Sequence, residues 1–192
     1  MSVYSKPEVL SVDSLLELVN LRGVYVLGYG WLVGMSIWVT FIGGFIAFKA
    51  LPRQQFGALQ HRTFPTYFNL SILLSGGLLL LWTRGHPHVI SNIAKPQLAD
   101  VAQAYVLGTV AVSQLVNQAI IGPMTSKTMF QRHKLEKAEG KAYNEPGVSS
   151  EMKALNSKFS QLHGISSLLN LSANIALIFH GLWVGTKGLG KL

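Results

Sequence analysis

Four stretches of the chain are apolar over lengths that can cross a lipid bilayer. They predict membrane-spanning helices at about residues 25–48, 66–82, 98–122 and 162–184. The last stretch contains no Asp, Glu, Lys or Arg. At about 1.5 Å per residue it is roughly 34 Å long, against about 30 Å of bilayer hydrocarbon. The pattern therefore predicts an all-α, integral membrane four-helix bundle.

Polar side chains follow one face of the fourth predicted span. His163, Ser166 and Ser167, Asn170 and Asn174 succeed one another at steps of three or four residues. That spacing places them on the same side of an α-helix. We expect this side to face protein, because polar side chains are costly in contact with lipid.

The third predicted span carries a second polar row, formed by Gln114, Asn117 and Gln118. Spans three and four run antiparallel, and counting residues from their shared membrane face places Asn117 level with Asn170. The same count places Gln114 level with Asn174. We predict that the two rows meet, with amide hydrogen bonds worth roughly 0.6 to 2 kcal/mol each.

This predicted polar seam has two interpretations, which both stay open at this point. It either holds the helices together, or it borders a binding pocket that opens towards the charged connecting segment. Its members are Gln114, Asn117, Gln118, His163, Ser167, Asn170 and Asn174.

The remaining segments are shorter or more polar. Residues 9–21 predict an amphipathic helix that is too short to span and lies at the membrane interface. Residues 49–65 are basic and amphipathic and predict a surface-lying turn or short helix before span two. Gly30 and Gly34 form a small-xxx-small pair, for which we favour helix packing within the bundle over dimerisation.

The segment at about residues 124–158 is charged and predicted to be soluble. Its first half is helix-like, with Arg132 and Glu136 at i,i+4, and a helix resumes at Ser150. A solvated helix is the first interpretation, with a protein-docking or phospholipid headgroup site as alternatives. No internal repeat divides the chain, so residues 1–192 are expected to form a single membrane domain.

Composition supports the membrane class. The 192 residues are 49% hydrophobic and only 12% charged, which is too apolar for an ordinary soluble domain. The chain contains no cysteine, and this excludes disulfides and thiolate metal sites.

Positive charge is concentrated in the gaps between the apolar stretches. The net charge is +8, a value also found in nucleic-acid-binding proteins, but this distribution indicates contact with anionic lipid surfaces instead. Of the sixteen Lys and Arg residues, ten lie in the 49–65 and 124–158 segments or beside them. The positive-inside rule therefore favours a cytoplasmic location for these two segments.

The first residues do not have the pattern of a cleavable signal peptide. Residues 1–22 contain acidic side chains instead of a basic start followed by an apolar core, and these acids also disfavour a mitochondrial presequence. We expect a multi-pass protein of an endomembrane such as the endoplasmic reticulum, with a mitochondrial membrane as the alternative.

Several short motifs lie in order along the chain. Phe56-Gly57, Gln60 and Phe64-Pro65-x-Tyr67-Phe68 precede or begin span two. Asn117, Gly122-Pro123, Thr125, Met129 and Arg132 follow at the end of span three, and His163-Gly164 with Asn170 begins span four. Together they resemble the transmembrane protein 205-like family, also known as domain of unknown function 4149.

The resemblance implies a small four-span helical protein with no settled enzymatic activity and a reported connection to tolerance of drugs and metal compounds. The positions that carry the family motifs are Phe56, Gly57, Gln60, Pro65, Tyr67, Pro123, Arg132 and Gly164.

That family is also distantly similar to four-helix membrane proteins that handle copper or haem through intramembrane histidines. Here His163 is expected at the pocket end of span four with His61 nearby, while His86, His88 and His180 belong to the opposite membrane face. No thiolate or buried carboxylate accompanies them. We therefore predict no cofactor, with haem or copper as the least favoured alternative and interfacial hydrogen bonding as the expected role.

The sequence indicates no catalytic machinery. The serines of span four lie beside His163, but no acid within the membrane orients that imidazole. No phosphate-binding P-loop or dinucleotide fingerprint is present. We predict a structural or accessory membrane component that is not an enzyme.

The alternative function is binding or transport of a small amphipathic molecule or metal compound. The expected partners are membrane lipid, a protein at residues 124–158 and a second copy of the chain, without nucleic acid.

Overall fold

The computed structural model describes residues 9–190 and 192, and each of its elements is a helix. The helices are α1 (Val12–Glu17), α2 (Leu21–Ala50), α3 (Arg53–Gly85), α4 (His88–Ser91), α5 (Ala99–Glu139) and α6 (Ser150–Lys187). Within the described residues, α2, α3, α5 and α6 are long and apolar enough to cross a membrane. The predicted all-α, four-helix membrane architecture is confirmed.

The four long helices close into a bundle. Helix α3 packs against α2 and α5, α5 packs against α6, and α2 meets α6 along a shorter contact. Apolar side chains fill one half of the bundle: Tyr25, Leu32, Leu78, Trp82, Val89, Val101, Ala104, Leu107, Val110, Ala173 and Leu177. Large apolar side chains such as Leu27, Leu73 and Leu182 remain exposed on the outside, as expected for helices that face lipid.

The amphipathic N-terminal helix is shorter than predicted. Helix α1 ends at Glu17, because Asn20 begins the next helix instead of continuing the first. The side chain of Asn20 accepts a hydrogen bond of 2.9 Å from the backbone N–H of Gly23, which is an N-cap. Residues 1–8 and Lys191 lie outside the described residues. The structure therefore does not test the signal-peptide prediction there or the predicted membrane side of Lys6 and Lys191.

Residues 53–65 do not form the predicted separate surface segment, because they are the first turns of α3. The helix begins after Pro52 and continues through Pro65. Its first turns pack against α5 so closely that a Cβ at Gly57 would lie 2.7 Å from the Sδ atom of Met129. Helix α3 therefore begins about 20 Å before the predicted start of span two.

Helix α5 also continues past its predicted end at Gly122. A wide turn over Asn117–Ile121 joins the backbone N–H of Gly122 to the carbonyl of Asn117, five residues earlier. Such a turn accommodates Pro123, which has no N–H to contribute to a regular helix. The helix ends only at Gly140, whose φ of 66° is the left-handed conformation of a helix C-terminus.

Candidate functional site

A group of uncharged polar side chains occupies the interior of the bundle. We name it the central polar cluster, and it takes residues from all four long helices. Its members are Ser36 and Thr40 of α2, Tyr67 of α3, Gln114 and Asn117 of α5, and Asn170 and Asn174 of α6.

Asn170 is the centre of this cluster. Its side-chain oxygen accepts hydrogen bonds from the Tyr67 hydroxyl at 2.8 Å and from Nε2 of Gln114 at 3.1 Å. Its Nδ2 atom donates to the Thr40 hydroxyl at 2.7 Å, and Asn174 donates to the same hydroxyl at 3.2 Å. One asparagine side chain therefore connects the other three long helices.

Two wide turns lie at the level of the cluster. Thr40 is part of the wide turn Trp38–Gly43 of α2, and Asn117 begins the wide turn of α5. The side chain of Asn117 donates a hydrogen bond of 3.2 Å to the backbone carbonyl of Ser166. Turns of this kind change which face of a helix a side chain occupies, and they are frequent at functional sites.

The partners differ from the predicted ones by one helical turn. Counting residues from the shared membrane face predicted that Asn117 pairs with Asn170 and Gln114 with Asn174. In the structure, Asn117 meets Ser166 and Gln114 meets Asn170. A count at constant rise ignores the tilt between two helices and the extra residue of each wide turn.

Three members of the predicted polar seam lie outside the cluster. His163 and Ser167 are exposed and Gln118 is half-buried. The His163 ring stacks on Phe159, with centroids 5.8 Å apart. His163 and Ser167 share a helical face with Asn170, but their exposed side chains take no part in the hydrogen bonds of the cluster.

Three buried oxygens in this region accept no hydrogen bond from the described residues. They are Oγ of Ser71, Oε1 of Gln114 and Oδ1 of Asn117. A buried acceptor without a partner costs about 1 to 3 kcal/mol, so the cluster is not fully satisfied by the chain alone.

The family-motif positions contribute in different ways. Tyr67 belongs to the central polar cluster, and the buried Gly57 permits the close contact of α3 with α5. Pro123 and Gly164 are exposed, and a Cβ at Gly164 would meet nothing within 4 Å. The structure gives no packing reason for Gly164.

The remaining motif positions on α3 are partly covered. The half-buried Phe56 packs edge-on against Phe48, while Gln60 and Pro65 are half-buried on α3.

A second polar group lies towards the other end of the bundle. His180 is completely buried, with Nε2 2.5 Å from the Tyr25 hydroxyl and Nδ1 2.8 Å from Oε1 of Gln103. The sequence prediction placed His180 at the interface and did not select Gln103. The spacing of residues could have identified Gln103 as buried, because it shares the core face of α5 with Leu107 and Val110.

His180, His86 and His88 each have a polar partner within the described residues. Both ring nitrogens of His180 already have hydrogen-bond partners, and Nδ1 of His86 contacts the backbone carbonyl of Trp82 at 2.9 Å. His88 lies 2.9 Å from the Asp100 carboxylate. The described residues include no group of three or more His, Asp or Glu placed to hold a metal ion.

Two cavities lie away from the central polar cluster. The terminal cavity is about 350 Å³, and its walls include Trp82, His86, His88, Asp100, Trp183 and Lys187. The second is about 490 Å³ and lies between α3 and α5, with mostly apolar walls such as Leu79, Ile90 and Val112. Neither has a wall residue from the cluster.

The far ends of the helices, beyond the predicted spans, form a third group that we name the basic aromatic cluster. It consists of Arg53, Arg132, Glu136, Tyr143 and Phe159. Arg53 forms a salt bridge with Oε2 of Glu136, and Oε1 of Glu136 accepts the backbone N–H of Tyr143 at 2.8 Å. Arg132 lies between the rings of Tyr143 and Phe159, at 4.2 and 4.6 Å from their centroids.

This cluster corrects the prediction of a solvated helix with an Arg132–Glu136 pair. Arg132 and Glu136 are both buried, and Glu136 pairs with Arg53 of α3 instead. Burial by itself would raise the pKa of Glu136, but the hydrogen bonds from Arg53 and Tyr143 hold that pKa below its ordinary value. The ionised carboxylate therefore stabilises the folded chain here.

The architecture and its buried polar groups define a multi-pass helical membrane protein. The family can also be assigned, because residues 27–134 match the sequence model described as Domain of unknown function (DUF4149). The protein belongs to this family, and the resemblance found in the motifs is confirmed.

Two relatives match nearly the whole chain. Transmembrane protein 205 of Danio rerio is 26% identical over 190 residues, which cover 88% of this chain and 95% of that protein. Xanthocillin biosynthesis cluster protein D of Aspergillus fumigatus is 26% identical over 182 residues, covering 94% of this chain and 100% of the relative. No solved structure matches the chain significantly.

Proposed function

We propose that this protein is a non-catalytic accessory component of a membrane assembly and that α2 contacts its partner. The exposure of α2 carries this proposal. In the most apolar 18-residue stretch of α2 only 11% of the residues are buried, against 28 to 33% in the corresponding stretches of the other three long helices. One side of α2, with Tyr25, Leu32 and Ser36, completes the bundle, and the rest is left open.

The small residues of α2 support a partner on this open side. Gly30 and Gly34 are exposed, and a Cβ added to either would meet nothing within 4 Å. The prediction that this pair packs within the bundle is therefore wrong. Pairs of small residues at this spacing let a second helix approach closely, and their free face is available to one.

The central polar cluster supports a structural role for the predicted seam. It joins the four long helices by hydrogen bonds of 2.7 to 3.2 Å, and neither cavity reaches it. A rigid bundle of this kind is suited to present a fixed outer face. The name of the Aspergillus fumigatus relative refers to a biosynthesis cluster, which agrees with an accessory role.

The test compares two pairs of glycine substitutions. Gly30→Leu with Gly34→Leu adds bulk to the open face of α2, and Gly76→Leu with Gly77→Leu adds the same bulk to α3, where a Cβ also meets nothing within 4 Å. Each full-length variant is purified from its native membrane in mild detergent, and the mass and stoichiometry of its complex are measured.

We expect the α2 pair to release a stoichiometric partner and the α3 pair to retain it. Equal retention by both variants would contradict the proposal. Loss of a second copy of the same chain, instead of another protein, would replace the accessory role by self-association.

The terminal cavity supports a second candidate function, binding of a small amphipathic molecule. It combines the indole rings of Trp82 and Trp183 with the charged groups of Asp100 and Lys187. Trp183→Ala should weaken binding of a co-purified small molecule, identified by mass spectrometry with metal analysis, while Trp38→Ala on the lipid-facing side should not. Equal binding by both variants would exclude this cavity.

The membrane of residence belongs to the proposal as well. We favour the endoplasmic reticulum, with a mitochondrial membrane as the alternative. Fractionation of the full-length protein with markers for both membranes tests this choice.

A further inference from the structure

The basic aromatic cluster contains one positive charge more than its acidic group can neutralise. Arg53 takes one oxygen of the Glu136 carboxylate, and the backbone N–H of Tyr143 takes the other. Arg132 is only 6% exposed, and its Nε atom is buried without a hydrogen-bond partner. Two aromatic rings flank the Arg132 guanidinium, and the one nearby carboxylate, that of Glu136, is already paired with Arg53.

The start of α3 adds positive potential at the same place. Its N-cap residue, Pro52, provides no side-chain cap, so the N–H groups of the first turn lack helical partners. This helix of 33 residues directs the positive end of its dipole towards Arg53 and the rest of the cluster. Helix starts of this kind favour phosphate and other anions.

Phe159 places one edge of the cluster near the depth of lipid headgroups, whereas Arg53 precedes the predicted start of span two by 13 residues, or about 20 Å along α3. Phe159, which contacts Arg132, precedes the predicted start of span four at Leu162 by three residues, or about 5 Å along the helix. The headgroup layer is roughly 5 to 8 Å thick on each side of the hydrocarbon. The cluster is also on the membrane side that carries most of the Lys and Arg residues.

We propose that the basic aromatic cluster binds the phosphate group of an anionic membrane lipid. Arg53, with 35% of its side chain exposed, contacts the phosphate, and the buried Arg132 supplies the fixed charge behind it. The rings of Tyr143 and Phe159 flank the Arg132 guanidinium and fix the position of its charge behind Arg53.

The alternative is a purely structural role for Arg132. Contacts with two aromatic rings stabilise a guanidinium, but the single carboxylate of Glu136 is shared by two guanidinium groups, those of Arg53 and Arg132. A bound phosphate supplies a second anion, whereas a structural role predicts no dependence on lipid charge. Lipid titration therefore distinguishes the two roles.

The experiment uses the full chain in mild detergent with short-chain phosphatidic acid as the probe. Binding is measured by native mass spectrometry and by the shift in melting temperature, with short-chain phosphatidylcholine and inorganic phosphate titrated in parallel. Arg132→Gln is compared with Lys134→Gln, which removes the same charge from an exposed position two residues away.

We expect saturable binding of phosphatidic acid to the unmodified protein. Arg132→Gln should weaken it about tenfold, the change that about 1.4 kcal/mol produces, and Lys134→Gln should leave it nearly unchanged. Inorganic phosphate and phosphatidylcholine should bind much more weakly.

Equal weakening by both substitutions would overturn the proposal, since general surface charge would then explain the binding. Binding of inorganic phosphate as tight as that of phosphatidic acid would overturn a lipid source. If Arg132→Gln does not fold, Arg132→Met replaces it, and unchanged binding by this variant would overturn the role of the Arg132 charge. The result does not depend on whether α2 has a protein partner.

Discussion

The central polar cluster and the basic aromatic cluster both join several helices, but they use different chemistry. In the first, amides and hydroxyls of Thr40, Tyr67, Gln114 and Asn170 share hydrogen bonds, and no member carries a charge. In the second, a salt bridge and guanidinium–ring contacts connect α3, α5 and the start of α6.

The difference follows from the depth of each cluster in the membrane. A charged side chain at the bilayer centre costs roughly 2.5 to 3.5 kcal/mol on insertion scales, whereas a paired amide costs much less. Near the headgroups water and lipid phosphates reduce that cost. Helix α5 shows both regimes, with Gln114 and Asn117 inside the bundle and Arg132 and Glu136 beyond it.

Placing a charge in the central polar cluster is the strongest test of this comparison. Asn170→Asp keeps the shape of the side chain, but it introduces a carboxylate and removes the donor to Thr40. We expect a loss of about 3 kcal/mol or more in unfolding free energy at pH 8, measured by denaturant titration in detergent. The loss should shrink at acidic pH, where the new carboxyl is neutral, and a loss independent of pH would contradict the argument.

Removing the polar group altogether should have a somewhat smaller effect. Asn170→Leu leaves the Tyr67 hydroxyl and the Gln114 amide without their shared acceptor, so we expect a loss of about 2 kcal/mol. Ser167→Leu is the matched control, because Ser167 is exposed on the same helix and its change should be near zero. Equal melting temperatures for both variants would show that the cluster adds no stability.

The basic aromatic cluster is tested by neutralising its acid. Glu136→Gln leaves Arg53 and Arg132 without a carboxylate, and we expect a loss of about 1 to 2 kcal/mol at pH 7, since Arg53 is partly solvated. The pKa of Glu136 is lower in the folded chain than its ordinary value of 4.5. Its contribution is therefore complete above pH 4.5 and is lost as the pH falls through the lower, folded pKa.

The pH dependence supplies the control for this variant. Melting temperatures measured between pH 7 and pH 3 should fall further for the unmodified protein than for Glu136→Gln, and the two curves should converge at the acidic end. Parallel curves would mean that the Glu136 carboxylate does not stabilise the fold.

The smallest expected effects separate a packed glycine from an open one on α3. Gly57→Ala should destabilise by about 1 kcal/mol, because its Cβ would lie 2.7 Å from the flexible end of Met129. Gly76→Ala meets nothing within 4 Å and should stabilise by about 0.5 to 1 kcal/mol, since alanine is the better helix former. Changes of the same sign would contradict the close contact of α3 with α5.

The local pattern of the sequence was sufficient for the helical class, the four spans and the polar faces of α5 and α6. Each of these depends on apolar length or on residue spacing within one helix. The family motifs were equally visible, and Tyr67 and Gly57 among them prove to be at helix contacts.

The tertiary structure decided which of these residues meet. Tilt and wide turns pair Gln114 with Asn170 instead of Asn174, leave His163 exposed, and bury His180 beside Tyr25 and Gln103. The pairing of Arg53 with Glu136 joins positions 83 residues apart. Such contacts depend on how helices cross, and spacing along a single helix carries no information about that.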